Sequence, residues 1–326
     1  MRRLADRPFI VVNHFAAGAR PAWEHIRKAL VDNDINFDVY VSSVAGEIET
    51  YVRSALREGY YIIGVVGGDG TLSEVTRGFF ERPVLADSPP LPINPAAKLA
   101  ILPAGTGDDF ARGLTGYRAP MEKWLERLIT HCRLDEGRRT TRSVDALYVT
   151  VSNGSRSFVC LNAATLGISA DVIKRVASQN GLMRRLSGEK RFLWGAIGAI
   201  TAWRNRMVRI TVDDCSMECS TNLLAVVNGQ YVGGGMKFVP SARPDDGFLD
   251  VIMACGVTRM QAVRELMRIH HGGHLANPKI IFKKGARAQI ETFNPVETLI
   301  VEADGDVRGH TPAEFRLMPC ALRLVW

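Results

Sequence analysis

The stretch "VVGGDGTLSEV", residues 65–75, leaves an apolar run through Gly67, Gly68, Asp69, Gly70 and Thr71 and resumes at once with helical spacing. Just upstream, "YYIIGVV" reads as a buried strand, and "LSEVTRGFF" reads as the helix that follows. A turn with almost no side chains, at the C-terminal end of a parallel strand, is where open α/β sheets bind ligands. Its bare N–H groups can approach phosphate oxygens, and the next helix adds its positive N-terminal end. Asp69 in the middle would repel phosphates unless a divalent cation lay between them, so the turn predicts a site for a metal–nucleotide complex. The Gly-Lys-Ser/Thr ending of a Walker loop is absent.

The segments around this turn alternate strand and helix. "PFIVVN" and "NFDVYVSS" read as strands, while "PAWEHIRKALVDN" and "GEIETYVRSALREG" read as helices, the latter closed by Gly59. "KLAILPAG" is a further strand, and "DDFARGLT" begins another helix behind Gly105, Thr106 and Gly107. Asp108 has the position of a helix cap, but a second acid, Asp109, directly beside it repeats the chemistry of the first turn. This pattern predicts a parallel sheet with helices packed on it.

After about residue 138 the character changes to short β-rich runs, with helical inserts near 182–204 and 258–271. The second part is therefore expected to be mainly antiparallel β. The predicted boundaries are 1–137 for an α/β nucleotide-binding domain and 138–319 for a β-sandwich domain.

At 326 residues and 46% hydrophobic content, the chain has enough apolar material for two cores. Its formal net charge of +7 favours anionic partners such as nucleotides or lipid headgroups. No helix-turn-helix, aromatic RNA-binding signature or basic run supports nucleic-acid binding. The N-terminal residues lack the apolar stretch of a secretory signal, and the run 192–203 is short of the about 20 residues a membrane span requires. The expectation is a soluble protein, or at most a peripheral one. Six scattered cysteines suggest reduced thiols in a cytosol. Cys215 and Cys219 lack a second ligand pair for zinc, and "HHGGH" at 270–274 reads as a loop.

Taken together, "GGDGT" (67–71) and "PAGTGDDFAR" (103–112) resemble the catalytic domain of the diacylglycerol kinase and sphingosine kinase superfamily, especially its soluble bacterial lipid kinases. The similarity continues in "NAATLGISADV" (162–172), "VNGQYVGGGMKFVPSARPDDGFLDVI" (227–252) and "EADGDVRGHTPAEFRLMPCALRL" (302–324), in the expected order. The first motif alone also occurs in NAD kinases, so the specificity lies in the combination.

The resemblance implies ATP-dependent phosphorylation of a lipid hydroxyl in a cleft between an α/β nucleotide domain and a β-sandwich lipid domain, with the last strand, about 320–326, returning to the first domain. By position, Ser42, Gly67, Gly68, Asp69, Gly70, Thr71, Leu72, Ser73 and Thr106 would line the nucleotide. Asp69, Asp109 and Asp145 would form a water-linked magnesium network, and Asp246 with the carbonyls of Arg243 and Phe248 would hold a second magnesium. The general base would be Asp306, with Asp304 as its partner. The implied cofactors are ATP and Mg2+, and the implied partner is a lipid at the inner face of a membrane, contacted through residues 181–206 of a cytoplasmic enzyme. A homodimer is neither signalled nor opposed.

Three positions depart from the family pattern: Asp108 stands for the usual Asn, His14 for a Pro, and Asp306 for a Glu one methylene longer. A pseudokinase that only binds lipid and an NAD kinase-like enzyme with a soluble substrate are the competing expectations. Asp304 and Gly305 also suit a two-residue hairpin turn.

Overall fold

The computed structural model describes residues 7–16, 18–44, 46–83, 88–168, 172, 194–195, 198–200 and 203–326. Its first part alternates β1 (Pro8–Asn13), α1 (Ala19–Asp32), β2 (Asp38–Ser42), α2 (Ile48–Glu58), β3 (Ile62–Gly67), α3 (Asp69–Gly78), β4 (Lys98–Pro103), α4 (Asp109–Thr115) and α5 (Met121–Arg133). The inner strands are short and apolar on both faces: all six residues of β3 are buried, because helices cover the sheet on either side, whereas the edge strand β2 is partly exposed. The strands run parallel in the order β2-β1-β3-β4. Chain direction across the sheet reverses between β1 and β3, so the crevice beyond Asn13 and Gly67 is the topological switch point at which this architecture takes ligands.

The second part is β-rich, as expected: β5 (Thr141–Val151), β6 (Arg156–Cys160), β7 (Ala163–Gly167), β8 (Arg206–Val212), β9 (Cys215–Thr221), β10 (Leu223–Val227), β11 (Tyr231–Val232), β12 (Met236–Lys237) and β13 (Leu249–Ala254). Helix α6 (Arg259–Arg268) follows, then β14 (Ile280–Gly285), β15 (Arg287–Thr292), β16 (Ile300–Ala303), β17 (Asp306–His310) and β18 (Ala313–Val325). The α6 helix starts at a capping box, in which Thr258 accepts from the Gln261 N–H and Gln261 returns a bond to the Thr258 N–H. The insert expected near 182–204 lies mostly outside the described residues.

The long run at 279–292 breaks at Gly285 and Ala286. Strand β14 joins an antiparallel sheet of order β14-β13-β10-β7-β16-β17, while β15 joins the sheet opposite. The two sheets enclose Leu147, Leu166, Ile210, Val226, Ile290 and Phe315 as a sandwich core.

Strand β18 ties the parts together. It pairs antiparallel with β5 over most of its length and with β15 at its start, then ends parallel to β4 at Arg323 and Leu324. One sheet thus continues from the parallel half into the sandwich.

The expectation of six reduced thiols is corrected. Cys219 and Cys255 form a disulfide across 36 residues, with Cα atoms 5.5 Å apart. Strand β9 and the end of β13 lie in different sheets, so the pairing arises from sandwich packing and had no spacing signal. Cys132, Cys160, Cys215 and Cys320 take part in no disulfide.

Candidate active site

The two glycine turns meet backbone to backbone. A Cβ on Gly105 would stand 2.5 Å from the Gly68 Cα, so neither turn can carry a side chain at the contact. This close approach brings Asp69 to the start of α4, where its carboxylate accepts the N–H of Asp109 at 3.0 Å and of Phe110 at 3.2 Å. Asp69 therefore caps a helix forty residues away in sequence. Burial, followed by the neighbouring Asp109 carboxylate, pushes its carboxyl up from the ordinary range, against those two hydrogen bonds.

Asp109 is raised by burial as well. Its Oδ2 accepts the Gly234 N–H at 2.7 Å, which draws the glycine loop between β11 and β12 onto the first half. Its Oδ1 is buried without a hydrogen-bond partner. A half-buried carboxylate beside a buried one with an orphaned oxygen suits a divalent cation. A magnesium ion commonly takes one or two carboxylates and completes its shell with phosphate oxygens and water. Among the described residues, no group of three or more His, Cys, Asp or Glu side chains is placed to hold a metal alone.

Asp108 has φ of +50°, a left-handed conformation that Asn and Asp tolerate best. Its Oδ1 accepts the Gly105 N–H at 2.8 Å, and Arg118 lies 3.2 Å from Oδ2. The arginine supplies a counter-charge for the acid that stands in place of the usual Asn. At the end of β1, Asn13 donates to Thr71 Oγ1 at 2.9 Å and accepts the Phe15 N–H, an Asx turn that requires no proline at His14. Asn13 was not among the expected site residues, although its position at the switch point was a signal for it.

The remaining expected nucleotide residues divide. Ser73 donates to Asp304 Oδ2 at 2.9 Å. Ser42 is buried at the end of β2 and donates to the Val44 carbonyl, whereas Gly70 and Thr106 are exposed beside the turns.

Asp145 lies elsewhere. It accepts the N–H groups of Gly247 at 2.9 Å and Cys320 at 2.8 Å, and the acids that bear on it are Asp246 and Asp245. It therefore belongs with the 243–248 turn and is not drawn to Asp69 and Asp109. In that turn Asp246 accepts the Phe248 N–H and a 2.6 Å bond from Lys284 Nζ, which is also 3.9 Å from the buried Asp250. Arg243 reaches Asp245 at 3.3 Å. The Lys284 ammonium thus already supplies a counter-charge to Asp246 in this turn.

The hairpin of β16 and β17 turns at Asp304 (φ +47°) and Gly305 (φ +95°). Besides Ser73, Asp304 accepts the N–H groups of Leu161, Asn162 and Ala163 at 2.9 to 3.2 Å. Asp306 opens β17 with a side chain 62% exposed and paired to Arg308 at 2.7 Å. Glu302, two residues before Asp304 on the same hairpin, is buried. Its Oε1 accepts the Gly305 N–H at 2.5 Å and its Oε2 accepts the Thr165 hydroxyl.

These acids border one end of a cavity of about 420 Å³. Asp69, Asp109, Glu302, Asp304 and Asp306 form the polar end, and the wall continues through apolar side chains such as Ile168, Trp203, Phe238, Ile252 and Leu266.

Both halves of the chain match known families. Residues 7–135 match the diacylglycerol kinase catalytic domain, and residues 163–326 match the YegS C-terminal NAD kinase beta sandwich-like domain. A protein of Stenotrophomonas maltophilia (strain K279a) named "Probable lipid kinase YegS-like" is 32% identical over 67% of this chain and 63% of its own. One with the same name from Xanthomonas axonopodis pv. citri (strain 306) is 32% identical over 89% of this chain and 86% of its own. A diacylglycerol kinase of Staphylococcus carnosus (strain TM300) is 26% identical over 85% and 80%. Among solved structures, a diacylglycerol kinase from Bacillus anthracis str. Sterne shares the fold with a TM-score of 0.66 at 21% identity, covering 98% of this chain and 97% of that one. A glycine turn with a central acid, a second acidic turn packed on it and a β-sandwich cavity beside them thus come with matching sequence over both halves, and the chain belongs to the diacylglycerol kinase family of lipid kinases.

Proposed function

We propose that the protein transfers the γ-phosphate of ATP to the hydroxyl of a lipid, with the headgroup among the acids and the chain in the apolar cavity. The observation that carries this reading is the continuity of the cavity, from Asp69 and Asp304 to a wall of aliphatic and aromatic side chains. A water-soluble acceptor would gain nothing from that wall.

Phosphoryl transfer asks the protein mainly to position the reactants and neutralise developing charge. The N–H groups at the N-terminus of α3, from Gly68 to Thr71, would face the phosphates. Asp69 and Asp109 are the residues that would hold magnesium, which supplies charge neutralisation when bound. The acidic hairpin, with Asp304 pinned beneath Ser73 and Asp306 at the rim, borders the acceptor.

Entry from a membrane is supported by α6. Its inner face, Ala262, Glu265 and Leu266, lines the cavity, while Met260 and Met267 are 80% and 75% exposed beside Arg264. Trp194 is exposed too. The basic residues at 184, 185, 190 and 191, also expected to meet the membrane, lie outside the described residues. No described helix is long and apolar enough to cross a membrane. Incubation with radiolabelled ATP and a lipid panel in mixed micelles tests the reading. Label in the organic phase supports it, and label only in a soluble acceptor opposes it.

A further inference from the structure

The covalent bridge between Cys219 and Cys255 stands at the wall of the cavity. Cys255 directly follows β13, and only Gly256 and Val257 separate it from Thr258, the cap of α6. Ala254 before it and Val257 after it line the cavity and pack with Ile200, Trp203 and Ala262. Cys219 lies on β9, the last strand of the opposite sheet, which among the described residues pairs with β8 alone. The bridge therefore fastens the root of α6 to the far sheet.

We propose that Cys219 and Cys255 are a thiol–disulfide exchange site whose state sets how tightly the cavity holds a lipid. The inference rests on the lipid-binding part of the reading above and adds a control to it. The sandwich does not depend on the bridge for a core, because Leu166, Ile210, Val226 and Phe315 already bury one. What the bridge adds is a tether. Beside it, the segment meets β9 through the Gly256 N–H, which donates to the Ser220 carbonyl at 2.8 Å. Gly256 is exposed, so water can replace that bond at little cost. Opening the bridge thus lets the root of α6 shift against β9, and the wall formed by Ala254, Val257 and Ala262 shifts with it. Asp69 and Asp109 stand at the polar end, away from this wall.

Access to the bridge is one-sided. Cys219 is 4% exposed, whereas Cys255 is half-buried beside the exposed Gly256, so an incoming thiolate reaches the Cys255 sulfur first. In reduction by a small dithiol, one thiolate of the reductant bonds to Cys255 Sγ and the S–S bond breaks. Its electron pair leaves on Cys219 Sγ, which takes a proton. The second thiolate of the reductant then attacks the reductant's own sulfur in the mixed disulfide, and Cys255 leaves with an electron pair and takes a proton. Two electrons and two protons have passed to the protein, and the dithiol ends as a cyclic disulfide. A small disulfide drives the reverse.

The test holds the parent in dithiothreitol buffers of fixed reduced-to-oxidised ratio, with detergent micelles that are empty or carry dioctanoylglycerol. The bridged fraction is counted by thiol alkylation and mass spectrometry. Lipid binding and bridge closure are linked, so each favours the other by the same factor. Dioctanoylglycerol should shift the equilibrium toward the bridge by roughly 5-fold or more, the scale of a coupling between two sites. Reduction should correspondingly raise the KM for this lipid and leave the KM for ATP unchanged. A protein with both Cys219→Ser and Cys255→Ser should match the reduced parent in either buffer. An equilibrium that the lipid does not move, or a double variant whose lipid KM still responds to reductant, overturns the proposal. Should the double variant fail to fold, the equilibrium of the parent decides alone. Lipid that is labelled from ATP but leaves the equilibrium unmoved refutes the exchange site alone, whereas lipid that shifts the equilibrium but takes no label refutes the kinase reading and leaves the exchange site standing.

Discussion

The Ser73 hydroxyl donates to Asp304 at 2.9 Å across 231 positions of chain. Ser73 lies in the first turns of the helix that leaves the glycine turn, and Asp304 lies at the tip of a sandwich hairpin, so one bond joins the phosphate side to the lipid side. Arg77 completes the junction with a 2.7 Å bond to Ser73. Asp304 gathers three backbone N–H groups besides, and an amide nitrogen in its place would face donors with a donor. Asp304→Asn is expected to lower stability by roughly 2–3 kcal/mol, measured by urea unfolding, and Ser73→Ala by about 1 kcal/mol. An Asp304→Asn protein as stable as the parent would remove the junction from this account.

Asp69 has two separable jobs: it caps α4 and offers charge to a cation. Asp69→Asn keeps one acceptor oxygen for the cap while removing the charge. The expected result is a folded protein with kcat/KM lower by about 10²–10³-fold, the scale of losing one electrostatic element of a transition state. Melting and turnover measured on the same sample check both parts, and near-normal turnover would detach Asp69 from the chemistry.

Much of this was legible in the sequence because it is local. The glycine turns, their acids and the strand–helix alternation are each written within a dozen residues, and the fold follows that reading. Pairs formed by packing were not legible. The Glu302–Thr165 contact joins residues 137 apart whose meeting depends on strand register, and Lys284 reaches Asp246 only because β14 pairs with β13. Cys219 and Cys255 likewise meet only once two sheets are stacked. Asp145 was expected beside Asp69, but its strand, β5, carries it to the 243–248 turn.

Membrane docking through α6 has its own test. Met260→Glu together with Met267→Glu changes only exposed positions and should weaken co-sedimentation with anionic vesicles by about 3 kcal/mol or more, since burying each methionine contributes roughly 1.5–3 kcal/mol. Phosphorylation of a short-chain lipid in solution should be retained. Vesicle binding equal to that of the parent would remove this helix from the docking surface.

His131 gives the fold an acid sensitivity independent of the site. Burial, then the positive charges of Lys98 and Arg139, hold its imidazole down to about 4, against about 6.5 in an unfolded chain. The unfolded state binds the proton first, so the stability from the neutral ring is complete above about 6.5 and is lost as pH falls toward 4. His131→Phe should flatten this part of the stability profile relative to the parent, by up to about 1.4 kcal/mol per pH unit. The raised carboxyls of Glu302 and Asp250 act in the opposite direction but are common to both proteins, so the difference isolates the histidine. Parallel profiles for the two proteins would contradict the assignment.

The central claim is that the acids of the glycine turn and the apolar cavity serve one reaction. It is tested most directly by following radiolabelled phosphate from ATP into a panel of single-chain and two-chain lipids in mixed micelles, with parent and Asp69→Asn enzymes side by side. The account predicts label in at least one lipid with the parent and its loss in the variant, at unchanged folding. Label in a water-soluble acceptor and in no lipid, or equal lipid labelling by both proteins, would contradict it.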